Sequence, residues 1–486
     1  MPRSVVLGVD SSTQSTKVIA VDVESGEVVG EGRAPHSGHD TQHPTEWWDA
    51  LVMATRTAVD PGMRVEGISV GGQQHGMVTL DAAGEVVRTA PLWNNVAAAP
   101  DAERLNGEAD FAAEIGSRLV ASFTIAKLAH LARTAPDDLA RTDAVCLPHD
   151  WLNFRLTGNL VTDRGEASGS GWWSPRNGRE RRDLLALAVG EDHARRLRLP
   201  EVRGPVETAG PLLPEAAQAL GLETGIPVGP GTGDNMAAAL GVGAAPGELV
   251  VSLGTSGTAF AVSPHPTADE SGEIEGFADA TGRFLPLVCM LNCTRVVDTV
   301  AAMVGLARDE ALDRAAHTPP GANGVLLMPY LAGERTPNLP EATGSLTGLT
   351  AETATPDLVV RAALDGVAAG LAYAVDVLAT VGIAAPDVTL VGGGSQHPAW
   401  RQAIADATGL PVVVRGGGEH AARGAALQAM AIARATPIDE VVARWRPEVV
   451  ARIEPRPEHR KAFRLDERRQ LIKEMKAASQ TQAQCR

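Results

Sequence analysis

Short apolar runs that end in small polar turns dominate the start of this chain. Residues 5–10 read Val-Val-Leu-Gly-Val-Asp, and a Ser-Ser-Thr turn at 11–13 separates them from a second apolar run that begins at Lys17. Apolar, β-branched runs with Ser, Thr or Gly between them predict two strands joined by a tight turn. The backbone N–H groups and hydroxyls of such a turn can hold an anion.

The same pattern returns in the second half of the chain. Residues 249–257 read Leu-Val-Val-Ser-Leu-Gly-Thr-Ser-Gly and are followed by an apolar run from Ala259. A second pair of segments, 225–235 and 409–420, shares a Pro-Val strand followed by a Gly-rich turn. Two resemblances in the same order indicate an internal duplication. We therefore expect two facing domains with a nucleotide between them.

Strands and helices alternate in both halves, which is typical of an α/β fold. Residues 65–70 predict a strand that ends in a Gly-Gly-Gln-Gln-His-Gly loop, and α/β sheets bind ligands at the carboxyl ends of their strands. Residues 97–203 are charged and helical and predict an insertion on the substrate side, whereas the breaker-rich residues 241–247 predict a boundary. The expected domains are 1–245, 246–445 and a helical extension and tail at 446–486.

Composition narrows the class of protein. A chain of 486 residues with 44% hydrophobic residues can form two or three well-buried domains. The formal net charge of −16 argues against a nucleic-acid surface or an anionic membrane as partner. We find no uninterrupted apolar stretch of membrane-spanning length and no signal-peptide core after Met1, so we expect a cytoplasmic protein.

The four cysteines lack the spacing of a metal site. Cys289 and Cys293 would share a face if they lay on one helix. Buried free thiols are the favoured interpretation of all four.

Two acidic residues are candidates for chemistry. Asp10 ends the first predicted strand, where its carboxylate could hold a hydrated Mg²⁺ or merely cap the turn. Asp234 follows a Gly-rich turn at a predicted helix start, where it could take a proton from a bound hydroxyl or serve as an ordinary N-cap, a role that Glu419 could illustrate in the second half. Lys17 could reach a transferred phosphoryl group or be solvated at an edge.

Polar loops supply candidate sugar contacts. His75 follows two glutamines between glycines, a pattern typical of a polyol-binding patch, although a single histidine is a weak catalytic signal. Trp93 with Asn94 offers a flat apolar surface beside an amide, but a packed tryptophan with loop amides is equally common. Asn235 can donate and accept hydrogen bonds as a sugar hydroxyl requires. The Gly392–Gly394 triplet suits close approach to a nucleotide or a permissive turn.

Taken together, these motifs resemble the FGGY family of carbohydrate kinases over nearly the full length of the chain. The segments that carry the resemblance are Gly8–Asp10, Gly72–Gly76, Leu92–Asn94, Gly233–Asn235, Ser252–Gly257, Pro329–Pro337 and Gly392–Gly394. The resemblance implies two actin-like (ribonuclease H-like) domains with ATP and a sugar in the cleft between them. It also implies transfer of the ATP γ-phosphate to the terminal hydroxyl of D-xylulose, and it suggests a homodimer.

The resemblance assigns roles to residues of this chain. Asp234 is expected to be the general base, and Asp10 is expected to act in catalysis and to hold Mg²⁺ through water. The expected sugar-binding residues are Gln74, His75, Trp93, Asn94 and Asn235. The expected nucleotide-binding residues are Ser12, Thr13, Lys17, Gly254, Thr255, Gly393 and Gly394.

One departure from the family pattern bears on specificity. The chain has Asn95-Val96-Ala97 where the family usually has Asp, a variable residue and Arg, so an ion pair beside the sugar loop is lost. Kinases of ribulose, gluconate or a related polyol therefore remain alternatives. An actin-type ATPase that binds protein and a catalytically silent sugar sensor are alternatives from other classes.

Overall fold

The computed structural model describes residues 2–484 and divides them into two units. Unit 1 comprises the residues up to 244 together with 263–285 and 419–447. Unit 2 comprises 245–262, 286–418 and the residues from 448 onward. The chain therefore leaves and re-enters each unit, and we describe each unit by itself.

The strands in chain order are β1 (Arg3–Ser11), β2 (Ser15–Asp22), β3 (Val28–Pro35), β4 (Thr41–Gln42), β5 (Met63–Gly72), β6 (Val78–Leu80), β7 (Ala90–Pro91), β8 (Ala144–Cys146), β9 (Val161–Asp163), β10 (Trp173–Ser174), β11 (Arg179–Glu180), β12 (Glu201–Arg203), β13 (Gly210–Pro211), β14 (Pro227–Val228), β15 (Thr232–Gly233), β16 (Leu249–Leu253), β17 (Gly257–Ala261), β18 (Glu275–Ala278), β19 (Phe284–Met290), β20 (Leu326–Met328), β21 (Ser345–Thr347), β22 (Val388–Val391), β23 (Val412–Arg415) and β24 (Val449–Ile453).

The α-helices in chain order are α1 (Pro44–Ala58), α2 (Ala99–Glu108), α3 (Phe111–Ile115), α4 (Thr124–Thr134), α5 (Pro136–Arg141), α6 (Pro148–Thr157), α7 (Arg164–Ser168), α8 (Arg182–Val189), α9 (Glu191–Arg196), α10 (Pro214–Leu220), α11 (Asp234–Gly241), α12 (Thr294–Met303), α13 (Arg308–His317), α14 (Pro356–Ala379), α15 (Pro398–Thr408), α16 (His420–Ala433), α17 (Ile438–Trp445) and α18 (Leu465–Gln484).

The main sheets of the two units share one topology. In unit 1 the order is β3-β2-β1-β5-β14, with an antiparallel hairpin from β1 to β2 and parallel pairing of β1 with β5. In unit 2 the order is β19-β17-β16-β22-β23, with an antiparallel hairpin from β16 to β17 and parallel pairing of β16 with β22. This shared order confirms the internal duplication and the mixed α/β fold that the repeated loops predict.

Helix α16 packs within unit 1 although it lies at the end of the second repeat in sequence. It lies against β1, β5 and α11, and glycines allow this close approach. A Cβ added at Gly8 in β1 would lie 1.9 Å from the carbonyl oxygen of Ala422, and one added at Gly424 would lie 1.8 Å from the carbonyl oxygen of Ala237. No side chain fits in such a space, so these glycines set the distance between the elements.

The predicted domain boundaries differ from the two units at this helix. The prediction kept 246–445 in one domain, whereas the contacts of 419–447 place that segment with the first repeat. The sequence does not predict this packing. It depends on close approach of the backbone at glycines, which produces no repeating pattern of residues. The charged segment 97–203 folds within unit 1, as predicted for an insertion, and supplies α2 to α9.

Helix α14 forms the core of unit 2. It is long and apolar enough to cross a membrane, with a mean hydropathy of 1.6 over its most apolar window, but 78% of that window is buried inside the protein. Asp357, Arg361, Asp365 and Asp376 interrupt its apolar residues, so α14 contains no uninterrupted apolar stretch of membrane-spanning length, as expected. Its buried ion pair between Arg361 and Asp365, at 2.8 Å, and its packing against α12, α13 and α15 are those of a core helix.

We predict that Gly424→Ala destabilises unit 1 by about 3 kcal/mol, because the new methyl group must displace the backbone of α11. Gly107→Ala is the control, because a Cβ at this exposed helical glycine meets nothing within 4 Å. The control should be neutral or stabilising by roughly 0.5 kcal/mol. Thermal and urea unfolding of both variants measure the difference, and equal stabilities would contradict the close-packing account.

Candidate active site

Three neighbouring strand ends bring the predicted groups of unit 1 together. Asp10 in β1 lies opposite Gly71 in β5, and Gly233 in β15 lies opposite Gly72. Gly72 leads directly into the Gln73-Gln74-His75 loop, and Gly233 leads directly into Asp234. Because the carboxyl ends of these parallel strands share one edge, the candidate base and the candidate sugar loop are neighbours, as predicted.

Asp234 is held by a network of predicted residues. It is the first residue of α11, and its Oδ1 accepts from the backbone N of Asn235 at 2.8 Å and from the Asn235 Nδ2 at 2.9 Å. The same Nδ2 donates to Oε1 of Gln74 at 2.9 Å. The N-cap of α11 is Gly233, so Asp234 is not the ordinary cap that remained the alternative interpretation. Desolvation, together with the charge of Asp10, raises the pKa of Asp234 to about 7.

Asp10 is a second carboxyl with an unusual environment. Its side chain is 6% exposed, and its Oδ1 makes no hydrogen bond within the described residues. Burial raises the pKa of Asp10 to about 6, against the opposing effect of the Lys17 ammonium and with a further increase from the charge of Glu419. A pKa near neutrality at two adjacent carboxyls is typical of sites that move protons or bind cations.

Lys17 forms an ion pair within unit 1. Its Nζ lies 2.5 Å from Oε2 of Glu419, which precedes α16 in the left-handed region at φ 36°. Glu419 occupies the N-cap position of α16, as suggested, but its side chain makes no capping hydrogen bond. The physical reason is that the Lys17 ammonium is a better partner for this carboxylate than the backbone N–H groups of the helix start.

His75 is buried and oriented by its surroundings. It adopts a left-handed φ of 63°, its ring lies 5.1 Å from Phe123 and 5.5 Å from Phe277, and its Nδ1 lies 3.0 Å from the carbonyl oxygen of Gly169. Since a carbonyl can only accept, Nδ1 is the donor and Nε2 is the acceptor in the neutral ring. The buried Lys127 donates to the His75 carbonyl oxygen at 2.8 Å and fixes the loop backbone.

The loop that contains Trp93 contacts the Ser-Ser-Thr turn at residues 11–13. Trp93 Nε1 donates to Oγ1 of Thr13 at 2.9 Å, and in the turn Ser12 Oγ donates to the Ser15 carbonyl at 3.4 Å. Asn94 Nδ2 donates to the carbonyl of His39 at 3.0 Å. Thr13 is therefore joined to the loop that contains Trp93 through one hydrogen bond.

At residues 95–97, where the chain departs from the family pattern, hydrogen bonds of the Asn95 amide hold the loop. Asn95 Nδ2 donates to Oδ2 of Asp40 at 3.0 Å, and Asn95 Oδ1 accepts from the backbone N of Ala97 at 3.1 Å. The Asn95 amide thus holds the loop in place of the ion pair that the family pattern would supply.

A group of buried polar residues beneath Asp234 was missed by the sequence analysis. Asp163 caps α7 by accepting from the backbone N of Glu166 at 2.9 Å, and it accepts from Thr232 Oγ1 at 2.7 Å. His149 on α6 lies 3.7 Å from Glu166 through its Nδ1. The signal that could have found them is the spacing of Asp163 and Glu166, which matches a helix start inside the charged insertion.

The predicted nucleotide loops of unit 2 also lie together. The turn at Gly254 follows β16 and the Gly392–Gly394 triplet follows its parallel neighbour β22. A Cβ added at Gly392 would lie 2.6 Å from the carbonyl oxygen of Leu253. Gly254 is fixed by Thr294, whose backbone N and Oγ1 reach the Gly254 carbonyl at 3.1 and 2.8 Å.

These two loops have exposed residues that a ligand could contact. Thr255 and Gly393 are exposed, and a Cβ added at Gly393 meets nothing within 4 Å. Gly394 is buried, and its added Cβ would lie 2.9 Å from Cβ of Leu253. Gly393 therefore borders open space, whereas Gly394 is required for packing.

The remaining side-chain features are metal-ligand groups and cysteine thiols. Within residues 2–484 no three His, Cys, Asp or Glu side chains form a group that could hold a metal ion by themselves. Cys146, Cys289 and Cys293 are buried and form no disulfide, as predicted, and Cys485 lies outside the described residues. Cys289 lies in β19 and Cys293 precedes α12, so the two residues do not share the face of one helix.

Family models match both repeats. The model of the N-terminal domain of the FGGY family of carbohydrate kinases matches residues 5–241, and the model of its C-terminal domain matches residues 249–433. The chain belongs to the FGGY family of carbohydrate kinases. This carbohydrate kinase therefore has the two-domain, actin-like fold of the family and uses ATP to phosphorylate a sugar.

Individual relatives cover most of the chain. The kinase is 46% identical to the xylulose kinase of Streptomyces rubiginosus, over 90% of each chain. It is 35% identical to the xylulose kinase of Escherichia coli K12, over 85% of this chain and 87% of the relative. Among solved structures, the xylulose kinase of Bifidobacterium adolescentis is 35% identical with a TM-score of 0.83, covering 96% of this chain and 99% of that one.

We predict that Gly393→Ala raises the KM for ATP about tenfold, equivalent to roughly 1.4 kcal/mol of binding, because a methyl group enters the open space beside the loop. The KM for the sugar and the unfolding temperature should stay unchanged. Gly62→Ala, at another exposed glycine with no atom within 4 Å of its added Cβ, is the control and should leave all three values unchanged. An unaltered KM for ATP in Gly393→Ala would remove this loop from the nucleotide site.

Proposed function

We propose that this carbohydrate kinase transfers the γ-phosphate of ATP to the terminal hydroxyl of D-xylulose and forms D-xylulose 5-phosphate. The relatives named xylulose kinase support this substrate, since one of them shares 46% of its residues over 90% of each chain. The observation that carries the chemistry is the Asp234 carboxylate, which has a pKa of about 7 and is tied through Asn235 to Gln74.

Asp234 is the proposed general base. A base works best when its pKa lies near the working pH, because it is then largely ionised and still takes up a proton readily. Its hydrogen bonds from Asn235 hold Oδ1, which leaves Oδ2 to accept the proton of the sugar hydroxyl. Since phosphoryl transfer passes through a loose transition state, positioning of the hydroxyl in line with the phosphate contributes more than covalent chemistry.

The sugar is proposed to contact the loops that converge on this base. Gln74 and Asn235 supply amides, and the Gln74 Nε2 is buried without a hydrogen bond in the described structure, which suits a ligand oxygen. His75, Trp93 and Asn94 complete the proposed sugar contacts. The ring of His75 is pre-oriented by the Gly169 carbonyl, so little entropy is lost when a hydroxyl binds.

Each unit has its own proposed nucleotide-binding residues. Those of unit 1 are Ser12, Thr13 and Lys17, and those of unit 2 are Gly254, Thr255, Gly393 and Gly394. Asp10 fits Mg²⁺ held through water, because its buried Oδ1 has no hydrogen bond and Mg²⁺ commonly takes one or two carboxylates together with phosphates. Bound there, the ion would neutralise charge on the phosphates.

Similarity of fold alone does not favour another sugar. A gluconate kinase of Lactobacillus acidophilus is 21% identical with a TM-score of 0.88, and a glycerol kinase of Plasmodium falciparum is 19% identical with a TM-score of 0.84. These values show a common fold, which hosts several substrates. The homodimer and the cytoplasmic location stay predictions.

The experiment is a coupled assay of ATP consumption with D-xylulose, D-ribulose, gluconate and glycerol. We expect D-xylulose to give the highest kcat/KM. A panel in which another polyol is preferred would reassign the substrate, and sugar-independent ATP consumption with no phosphorylated product would contradict the kinase reaction.

Asp234→Asn should lower kcat with D-xylulose by about 10²–10⁴, the usual contribution of a general base. Binding of ATP, measured by calorimetry, should persist in this variant. Asp309→Asn is the control, because Asp309 occupies the first turn of α13 but is exposed. Near-normal turnover in Asp234→Asn would exclude Asp234 as the base.

A further inference from the structure

The buried carboxyl of Glu166 has no role in the proposed reaction. It lies in α7 with no exposed surface, and neither of its carboxyl oxygens makes a hydrogen bond within residues 2–484. A buried carboxylate without hydrogen bonds is so costly that the group normally takes up a proton instead. Its protonation state therefore needs a physical explanation.

Charged and titratable groups face Glu166 from several elements. They are Asp163 at the end of β9, Asp234 at the start of α11, His149 and Asp150 on α6 and Lys127 on α4. Burial is the main reason that the pKa of Glu166 lies well above its usual range, and the charges of Asp163 and Asp234 raise it further. The Lys127 ammonium acts in the opposite direction but is itself bound to the carbonyl oxygens of His75 and Ser122.

The nearest ring nitrogen lies beyond hydrogen-bond distance of this carboxyl. His149 Nε2 lies 3.1 Å from the carbonyl oxygen of Pro230, so this nitrogen carries a hydrogen. His149 Nδ1 lies 3.7 Å from Oε2 of Glu166, which is too far for a hydrogen bond. Glu166 therefore gains no hydrogen bond from the ring.

Glu166 lies directly against the backbone that presents the base. A Cβ added at Gly233, the residue before Asp234, would lie 2.8 Å from Oε1 of Glu166 and 2.8 Å from Cγ of Gln74. Glu166 and Gln74 therefore both pack against Gly233, the residue that leads into Asp234. Because Glu166 has no exposed surface, any charge on it is weakly screened from Asp234.

We propose that Glu166 is a positioning residue that works in its protonated form, so that it adds no negative charge beside Asp234. This inference rests on the proposed role of Asp234 as base. When two carboxyls share a desolvated site, one ionises and the other keeps its proton. A second negative charge at Glu166 would hold Asp234 protonated at neutral pH and remove the base.

The first test needs no catalysis. Glu166 has a raised pKa in the folded protein, so its contribution to stability is fully present below its unfolded pKa and is lost as the pH rises toward the folded pKa. Glu166→Gln has no such group. We expect the unfolding temperature of Glu166→Gln, relative to that of the native chain, to increase steadily between about pH 5 and pH 8. A difference that does not change with pH would overturn the proposal.

Glu191→Gln is the matched control for this series. Glu191 is an exposed glutamate in α9, with 75% of its side chain accessible, and the same substitution there should give a difference that does not vary with pH. If Glu166→Gln fails to fold, infrared spectra of the native chain with ¹³C-labelled glutamate replace it. A neutral glutamic acid band that persists above about pH 8 supports the proposal, and its absence overturns it.

The second test is kinetic. Because Gln resembles a protonated Glu in charge and size, kcat of Glu166→Gln should stay within about threefold of the native value, and the acidic limb of its pH profile should not move. If Glu166 were ionised in the working enzyme, its replacement would shift that limb to lower pH by about one unit or more. Such a shift overturns the proposal, whereas inactive Asp234 variants test the proposed function separately.

Discussion

The close approach of α16 to β1 and α11 is the constraint on which the rest of unit 1 depends. Gly8 and Gly424 have carbonyl oxygens where a Cβ would lie, so backbone packs directly on backbone. This packing lies two residues before Asp10 and along the helix that starts with Asp234. Desolvation by burial is the largest cause of the raised pKa of both Asp10 and Asp234. The close packing and the two carboxyls with raised pKa values therefore lie in the same part of unit 1.

Repeated local patterns made much of the fold predictable. The two hairpins and the strand-end position of Asp234 follow from β-branched runs and Gly-rich turns. The hairpins are confirmed in both repeats, and Asp234 directly follows β15. The return of α16 to unit 1 was not predictable, because it depends on contacts between residues far apart in sequence. Glu166 was missed for the same reason. In the sequence it is one charged residue within a charged insertion, and only the fold buries it.

The duplication is symmetric in backbone and asymmetric in charge. Asp10 and Ser252 occupy the same penultimate position of equivalent strands, opposite Lys17 and Thr258. The first repeat therefore has a carboxyl group where the second has a neutral hydroxyl. The insertion of residues 97–203 increases this difference, since it adds Glu166 and Asp163 beneath the base of unit 1 alone. A carbohydrate kinase needs such a difference, because its base and its nucleotide loops perform unlike tasks.

The central claim is that Asp234, with a pKa of about 7, takes the proton of the sugar hydroxyl during phosphoryl transfer. Rapid-quench measurement of a single turnover of D-xylulose phosphorylation tests it most directly, because this rate is free of product release. A base must be ionised to act, so the rate should rise with pH and reach half of its plateau near pH 7. A rate that stays constant from pH 8 down to about pH 5 would contradict the account.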